Sequence, residues 1–102
     1  MPLEHVNGIN LYYDSAGAGR PVVFLHGYTG SGDDWRNQIP VVADRYNGIT
    51  VDHRGHGRSE VPADLDRLSV YDVVDDLHCV LEALTSAPAV LLGHSMGGFL
   101  AQ

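Results

Sequence analysis

Apolar and polar positions alternate only near the start of this chain. Further on they gather into short continuous apolar runs and one helical stripe. EHVNGINLYYDSAG holds Asn7-Gly8 between short, partly alternating stretches, a strong local signal for a hairpin turn. Leu11 to Tyr13 then fall on its second strand, and Ala16-Gly17-Ala18-Gly19 turns the chain. PVVFLHG follows, a continuous apolar run bounded by Pro21 and Gly27, which predicts a strand covered on both faces. Residues 33–46 predict a short helix whose regularity Pro40 limits. GITVD at 48–52 predicts the next strand, and 53–68 a polar connection rich in Gly, Arg and Asp.

The clearest helix is SVYDVVDDLHCVLEAL, where Val70, Val73, Val74, Leu77, Val80, Leu81 and Leu84 recur at helical spacing. Ser69 is placed to cap it, with Asp72 as capping-box partner, and the acidic cluster Asp72, Asp75, Asp76 reads as its solvated N-terminal half. AVLLG at 89–93 predicts another buried strand, and GGFLAQ opens a further helix. Strands alternating with helices imply a parallel sheet with helices on its faces. In such sheets ligands bind beyond the carboxyl ends of strands, which directs attention to the glycine-rich loops after Leu25 and Leu92.

Composition narrows the chemistry. At 102 residues the chain is one domain or part of one, and an apolar fraction of 44% permits a small core. Six basic against 13 acidic residues give a formal charge of −7, which disfavours a nucleic-acid partner. Every basic residue is arginine, so Schiff-base chemistry and a phosphate-loop lysine are excluded. The single Cys79 cannot form an internal disulfide, and no run is long enough to span a bilayer or serve as a signal peptide. A cytoplasmic protein without membrane association is the expectation.

GHSMG at 93–97 matches the G-x-S-x-G elbow, with a predicted strand before it and a helix after it. A serine on such a sharp turn needs a strained backbone, and flanking glycines let the chain segments approach closely. The following helix directs free N–H groups and its positive dipole end toward Ser95, where negative charge develops in acyl transfer. In FLHGYTGSG, the chain leaves a buried strand through His26-Gly27. A backbone N–H there, paired with that of Met96, would form a two-donor oxyanion hole.

Taken together, the NGINLYY hairpin, PVVFLHGYTGS, Trp35, VDHRGHGRS, the capped helix and LLGHSMGG resemble the α/β-hydrolase superfamily, in the family's order and along essentially the whole chain. The resemblance implies an α/β class: a β-hairpin followed by parallel β-α-β-α-β with a nucleophile elbow, the sheet incomplete. It makes Ser95 the nucleophile and the backbone N–H groups of Tyr28 and Met96 the oxyanion donors. It implies an ester, thioester or lactone as small-molecule substrate, an acyl-enzyme, and neither cofactor nor metal. Asp52, Arg54, Gly55 and Gly57 fall in the family's D-x-R-G-x-G-x-S turn, whose part is structural bracing. Carboxylesterases, enol-lactonases, cofactor-free haloperoxidases and a lyase of menaquinone synthesis with a similar HGFTGS loop all fit this pattern.

Other readings are weaker. His53 and His56 have H-x-x-H spacing but lack a convincing third metal ligand. His26 and His94 are expected to brace their loops, and His78 and Cys79 to serve packing or a solvated helix face. A dinucleotide-binding unit is imitated by VVFL and ITVD, but Gly27, Gly30 and Gly32 read G-x-x-G-x-G, not G-x-G-x-x-G. In the superfamily the order along the chain is Ser, acid, His. Here histidines 5, 26, 53, 56, 78 and 94 all precede Ser95. The expectation is therefore the N-terminal portion, 1–102, of a single domain, inactive or nearly so in isolation. Its open sheet edge suggests self-association, and a non-catalytic interaction module using that edge is the rival from a different class.

Overall fold

A computed structural model of the protein describes residues 3–6, 8–28, 30–63, 69–84, 88–95, 97 and 100–102. β1 (Leu3–Val6) and β2 (Ile9–Ala16) form the expected antiparallel hairpin, with Val6 opposite Ile9 and Leu3 opposite Tyr12. Asn7 lies outside the described residues, while Gly8 turns the chain at φ 85°, a left-handed conformation that glycine adopts without a Cβ clash. β3 (Pro21–Leu25), β4 (Asn47–Val51) and β5 (Val90–Gly93) run parallel, and the sheet order is β1-β2-β4-β3-β5. β2 continues past the hairpin to pair antiparallel with β4, Tyr13 opposite Val51, so hairpin and parallel strands share one sheet.

Strand alternation sorts the side chains into two layers. Toward one face point Ile9, Leu11, Val23, Leu25, Ile49 and Val51, which form the core with Val73, Leu77 and Val80 of helix α2 (Val70–Leu84) and with Leu100. On the other face Phe24 packs against Trp35 with ring centroids 5.0 Å apart. Gly48 lies beneath that second layer: a Cβ there would come within 3.1 Å of Ile39 Cδ1 and 3.6 Å of Phe24 Cε2. No helix among the described residues is long and apolar enough to cross a membrane.

Three expectations are sharpened or corrected. The short helix expected within 33–46 is α1 (Ile39–Val42), only four residues long and preceded by a separate 3₁₀ turn (Gly32–Trp35). Pro40 has no N–H to offer a preceding carbonyl, so a continuous helix cannot pass through it, but it fits the first turn of a new one. Ser31 starts the 3₁₀ turn by accepting from Asp33 N–H at 3.2 Å. Second, β5 is not buried on both faces: Val90 is 48% and Leu92 44% exposed, because only Leu91 turns toward the core and β3 is the strand's one neighbour among the described residues.

The third change concerns α2. Ser69 caps it as expected, its hydroxyl accepting from Asp72 N–H at 3.2 Å and donating to Asp72 Oδ2 at 2.8 Å. Val73, Leu77 and Val80 face the core, although Val74 is exposed. Asp76, however, is not solvated. It is 2% exposed and accepts from Arg54 Nε at 2.6 Å and Nη2 at 2.7 Å, a buried bidentate pair that ties the turn after β4 to the helix. Removing one partner of such a pair leaves a buried charge and costs about 3–5 kcal/mol. Asp76→Ala is therefore expected to lower stability by about that much, whereas Asp75→Ala, at an exposed neighbouring site, stays within about 0.5 kcal/mol. Urea denaturation followed by circular dichroism measures both; equal midpoints for the two variants would contradict this account.

Candidate functional site

Parallel pairing sets the site. Leu25 stands opposite Gly93, and His94 N–H donates to Leu25 O at 3.1 Å, so the chains leaving β3 and β5 emerge side by side. Ser95 follows at φ 57°, the one non-glycine residue at positive φ among the described residues. That conformation costs on the order of 1–3 kcal/mol and persists only where the surroundings over-determine it. Here Gly97 N–H donates to His94 O at 2.9 Å, and Ala101 N–H donates to Gly97 O at 3.0 Å, opening a helical turn. A Cβ at position 97 would lie 2.6 Å from Leu25 C and 2.8 Å from His26 O, so only glycine lets the turn close against β3. Ser95 is exposed at the tip. The predicted partner Met96 lies outside the described residues.

The loop after β3 lies against this turn. A Cβ on Gly27 would be 3.3 Å from both His94 O and Ser95 Cβ. Gly30 N–H donates to Gly27 O at 3.1 Å, and the His26 ring bonds the same carbonyl through Nδ1 at 2.7 Å. Tyr28 is 74% exposed, its ring edge-on to His56 at 5.6 Å between centroids. Beside the loop is a recess of about 240 Å³ lined by His26, Asp34, Trp35, Gln38 and His94. Trp35 Nε1 is buried without a hydrogen-bond partner among the described residues.

The D-x-R-G-x-G-x-S turn braces the loop after β3. Asp52 is buried; its Oδ1 accepts from Gly32 N–H at 2.6 Å and its Oδ2 from Arg58 N–H at 2.9 Å. Gly57, at φ 51°, leaves room for that carboxylate, which a Cβ would strike. Ser59 Oγ donates to Asp52 O at 2.5 Å and accepts from Tyr12 N–H at 2.8 Å, fastening the turn to β2. His56 bonds Arg54 O through Nδ1 at 3.0 Å. His78 is remote, on α2, paired with Glu82 at 2.8 Å.

Sequence reasoning missed a reciprocal pair. His53 N–H donates to His26 Nε2 at 3.0 Å, and His53 Nε2–H donates back to His26 O at 3.0 Å, with the rings 4.0 Å apart. The local pattern carries no signal for it, because the partners are 27 residues apart. Burial, reinforced by the neighbouring His26, pushes the His53 imidazole down from 6.5 to about 3, and burial lowers His26 as well. In the unfolded chain both regain ordinary values, so it binds protons that the folded chain refuses. The stability from these neutral rings is complete above pH 6.5 and erodes as pH falls toward 3. From about pH 6.5 down to 5, above the ordinary carboxylate range, the urea midpoint is expected to fall steadily. His53→Gln, which keeps a donor for His26 O, should flatten that slope; an unchanged slope would remove His53 as its source.

Comparison with known proteins agrees with this geometry. Residues 20–102 match the alpha/beta hydrolase fold family. The non-heme chloroperoxidase CPO-A1 of Kitasatospora aureofaciens is 41% identical over 93 residues, covering 90% of this chain and 33% of that protein. An epoxide hydrolase of Caballeronia sordidicola is 40% identical over 92 residues, 89% of this chain and 28% of its own. Among solved structures, Est816, an N-acyl homoserine lactone degrading enzyme, superposes with a TM-score of 0.90 at 42% identity, over 98% of this chain and 38% of that one. Epoxide hydrolase VrEH1 from Vigna radiata gives 0.92 at 28% identity, over 97% and 32%. The chain thus spans about a third of the length of the relatives it matches. Family match, sheet order and the turn at Ser95 agree: the chain belongs to the α/β-hydrolase fold family.

Proposed function

We propose that this chain carries the nucleophile and oxyanion half of a serine hydrolase acting on a small-molecule ester, thioester or lactone. The carrying observation is Ser95, exposed at φ 57° at the end of β5 and backed by Gly27. Its Oγ attacks the substrate carbonyl carbon, the carbonyl oxygen takes the negative charge, and the backbone N–H groups of Tyr28 and Met96 receive it. Collapse expels the alcohol or thiol with the serine's proton and leaves an acyl-serine, which water then hydrolyses.

The relatives include proteins named epoxide hydrolase, and the chemistry of Ser95 argues against that substrate here. A serine oxygen that opened an epoxide would form an alkyl ether, which has no carbonyl for water to attack and would stay blocked. Acyl substrates leave a hydrolysable ester. The similarity to a lactone-degrading enzyme at 42% identity supports the acyl reading. The chloroperoxidase relative supports a second outcome of the same intermediate: discharge by hydrogen peroxide in place of water, giving a peracid that oxidises halide without a cofactor.

The base is not among the described histidines. Both ring nitrogens of His26 and Nε2 of His53 are engaged, His78 is paired on α2, and none of the rings is hydrogen-bonded to Ser95 among the described residues. Losing the base in a serine hydrolase lowers turnover by about 10⁶. The 102-residue chain alone is therefore expected to hydrolyse p-nitrophenyl acetate no faster than its Ser95→Ala variant. In imidazole buffer, which supplies a base from solution, mass spectrometry should find the acetyl group on Ser95. Acetylation elsewhere, or equally in Ser95→Ala, would end the nucleophile assignment.

A further inference from the structure

His26 has a use that bracing alone does not describe. The His53 N–H donates to His26 Nε2 at 3.0 Å, so that nitrogen is bare and the ring proton sits on Nδ1. From there it donates to Gly27 O at 2.7 Å, and Gly30 N–H donates to the same oxygen at 3.1 Å. Two donors thus hold the Gly27 carbonyl. In a trans peptide the following N–H points opposite to the carbonyl, and no cis peptide occurs here. The Tyr28 N–H is therefore turned away from His26 and Gly30, and no acceptor among the described residues takes it. Gly27, in the same peptide, lies against Ser95.

We infer that His26 is a positioning residue: its Nδ1–H, fixed in that tautomer by the backbone of the turn after β4, holds the Gly27–Tyr28 peptide so that the Tyr28 N–H stays free for an oxyanion at Ser95. The inference rests on the nucleophile reading of Ser95. It gives the D-x-R-G-x-G-x-S turn a bearing on chemistry that its distance from Ser95 in sequence hides. A peptide that rotated to turn its carbonyl toward the site would present a negative dipole to the developing charge, and would also break the Gly30 hydrogen bond.

Two isosteres separate the ring's functions. Asparagine places its NH₂ where Nδ1 stands and keeps the donor to Gly27 O. Glutamine places its oxygen where Nε2 stands and keeps only the acceptor for His53 N–H. In the ¹⁵N-labelled wild-type chain at neutral pH, long-range ¹H–¹⁵N spectra are expected to show His26 protonated on Nδ1 and bare on Nε2. Free histidine prefers the other tautomer. His26→Gln should speed exchange of the Gly30 amide at least about tenfold, and His26→Asn should leave it within about threefold. Phosphonylation of Ser95 by a fluorophosphonate in imidazole buffer should slow at least about tenfold in His26→Gln and recover in His26→Asn. An Nε2–H or doubly protonated His26 in the wild type, which needs no variant to fold, would overturn the inference. So would equal Gly30 exchange in the two variants. If wild-type Ser95 fails to react, the nucleophile reading falls, while the tautomer and exchange results still decide whether His26 holds the peptide.

Discussion

The ion pair between Arg54 and Asp76 is the contact on which the arrangement turns. Arg54 lies on the turn beyond β4 and Asp76 in the middle of α2, and both are almost completely buried. Neither charge is tolerable there without the other. Their pairing obliges α2 to lie across the sheet at one place, and it anchors the turn at 52–60 from below. That turn is stitched through Asp52 to the loop at Gly32 and through His53 to the loop at His26. A charge interaction in the core thus reaches the peptide beside Ser95 through one backbone donor, the His53 N–H, and one imidazole, that of His26.

The hydrophobic core and the polar network divide the work. Burial of residues such as Leu11, Leu25 and Val51 supplies the driving force, at about 1.5–3 kcal/mol for each fully buried side chain, but it is indifferent to direction. Direction comes from hydrogen bonds whose geometry tolerates little change: Asp52 to two backbone amides, Ser59 between β2 and its own turn, and the two histidines clasping each other. The two positive-φ glycines of the turn, Gly55 and Gly57, let it fold tightly around the Asp52 carboxylate.

Most of the strand pattern was legible in the sequence, because continuous apolar runs and an Asn-Gly turn are local signals. The elbow at 93–97 was legible for the same reason: a strained backbone is expected at Ser95, and the strain takes the form of a left-handed conformation. Features set by distant partners were not. Asp76 looks like its neighbours Asp72 and Asp75 until Arg54, 22 residues away, is brought beneath the helix. An apolar run such as AVLLG reads alike at the centre or the border of a sheet, so the exposure of Val90 and Leu92 had no local signature. His26 announced itself by preceding Gly27, but which ring nitrogen holds the proton depends on the backbone of His53.

The position of β5 in the sheet bears on how still Ser95 can be. β3 is clasped between β4 and β5, whereas β5 is bonded to β3 alone among the described residues. Ser95 therefore follows an edge strand, while the loop that faces it grows from a strand paired on both sides. In attack geometry a displacement of about 1 Å can cost about a hundredfold in rate. Close packing of Gly97 on the Leu25 backbone makes the turn borrow the stiffness of β3. The alignment of Ser95 is thus registered against its neighbour, and for the nucleophile proposed above any contact that steadied the outer side of β5 would act as a rate effect without touching substrate.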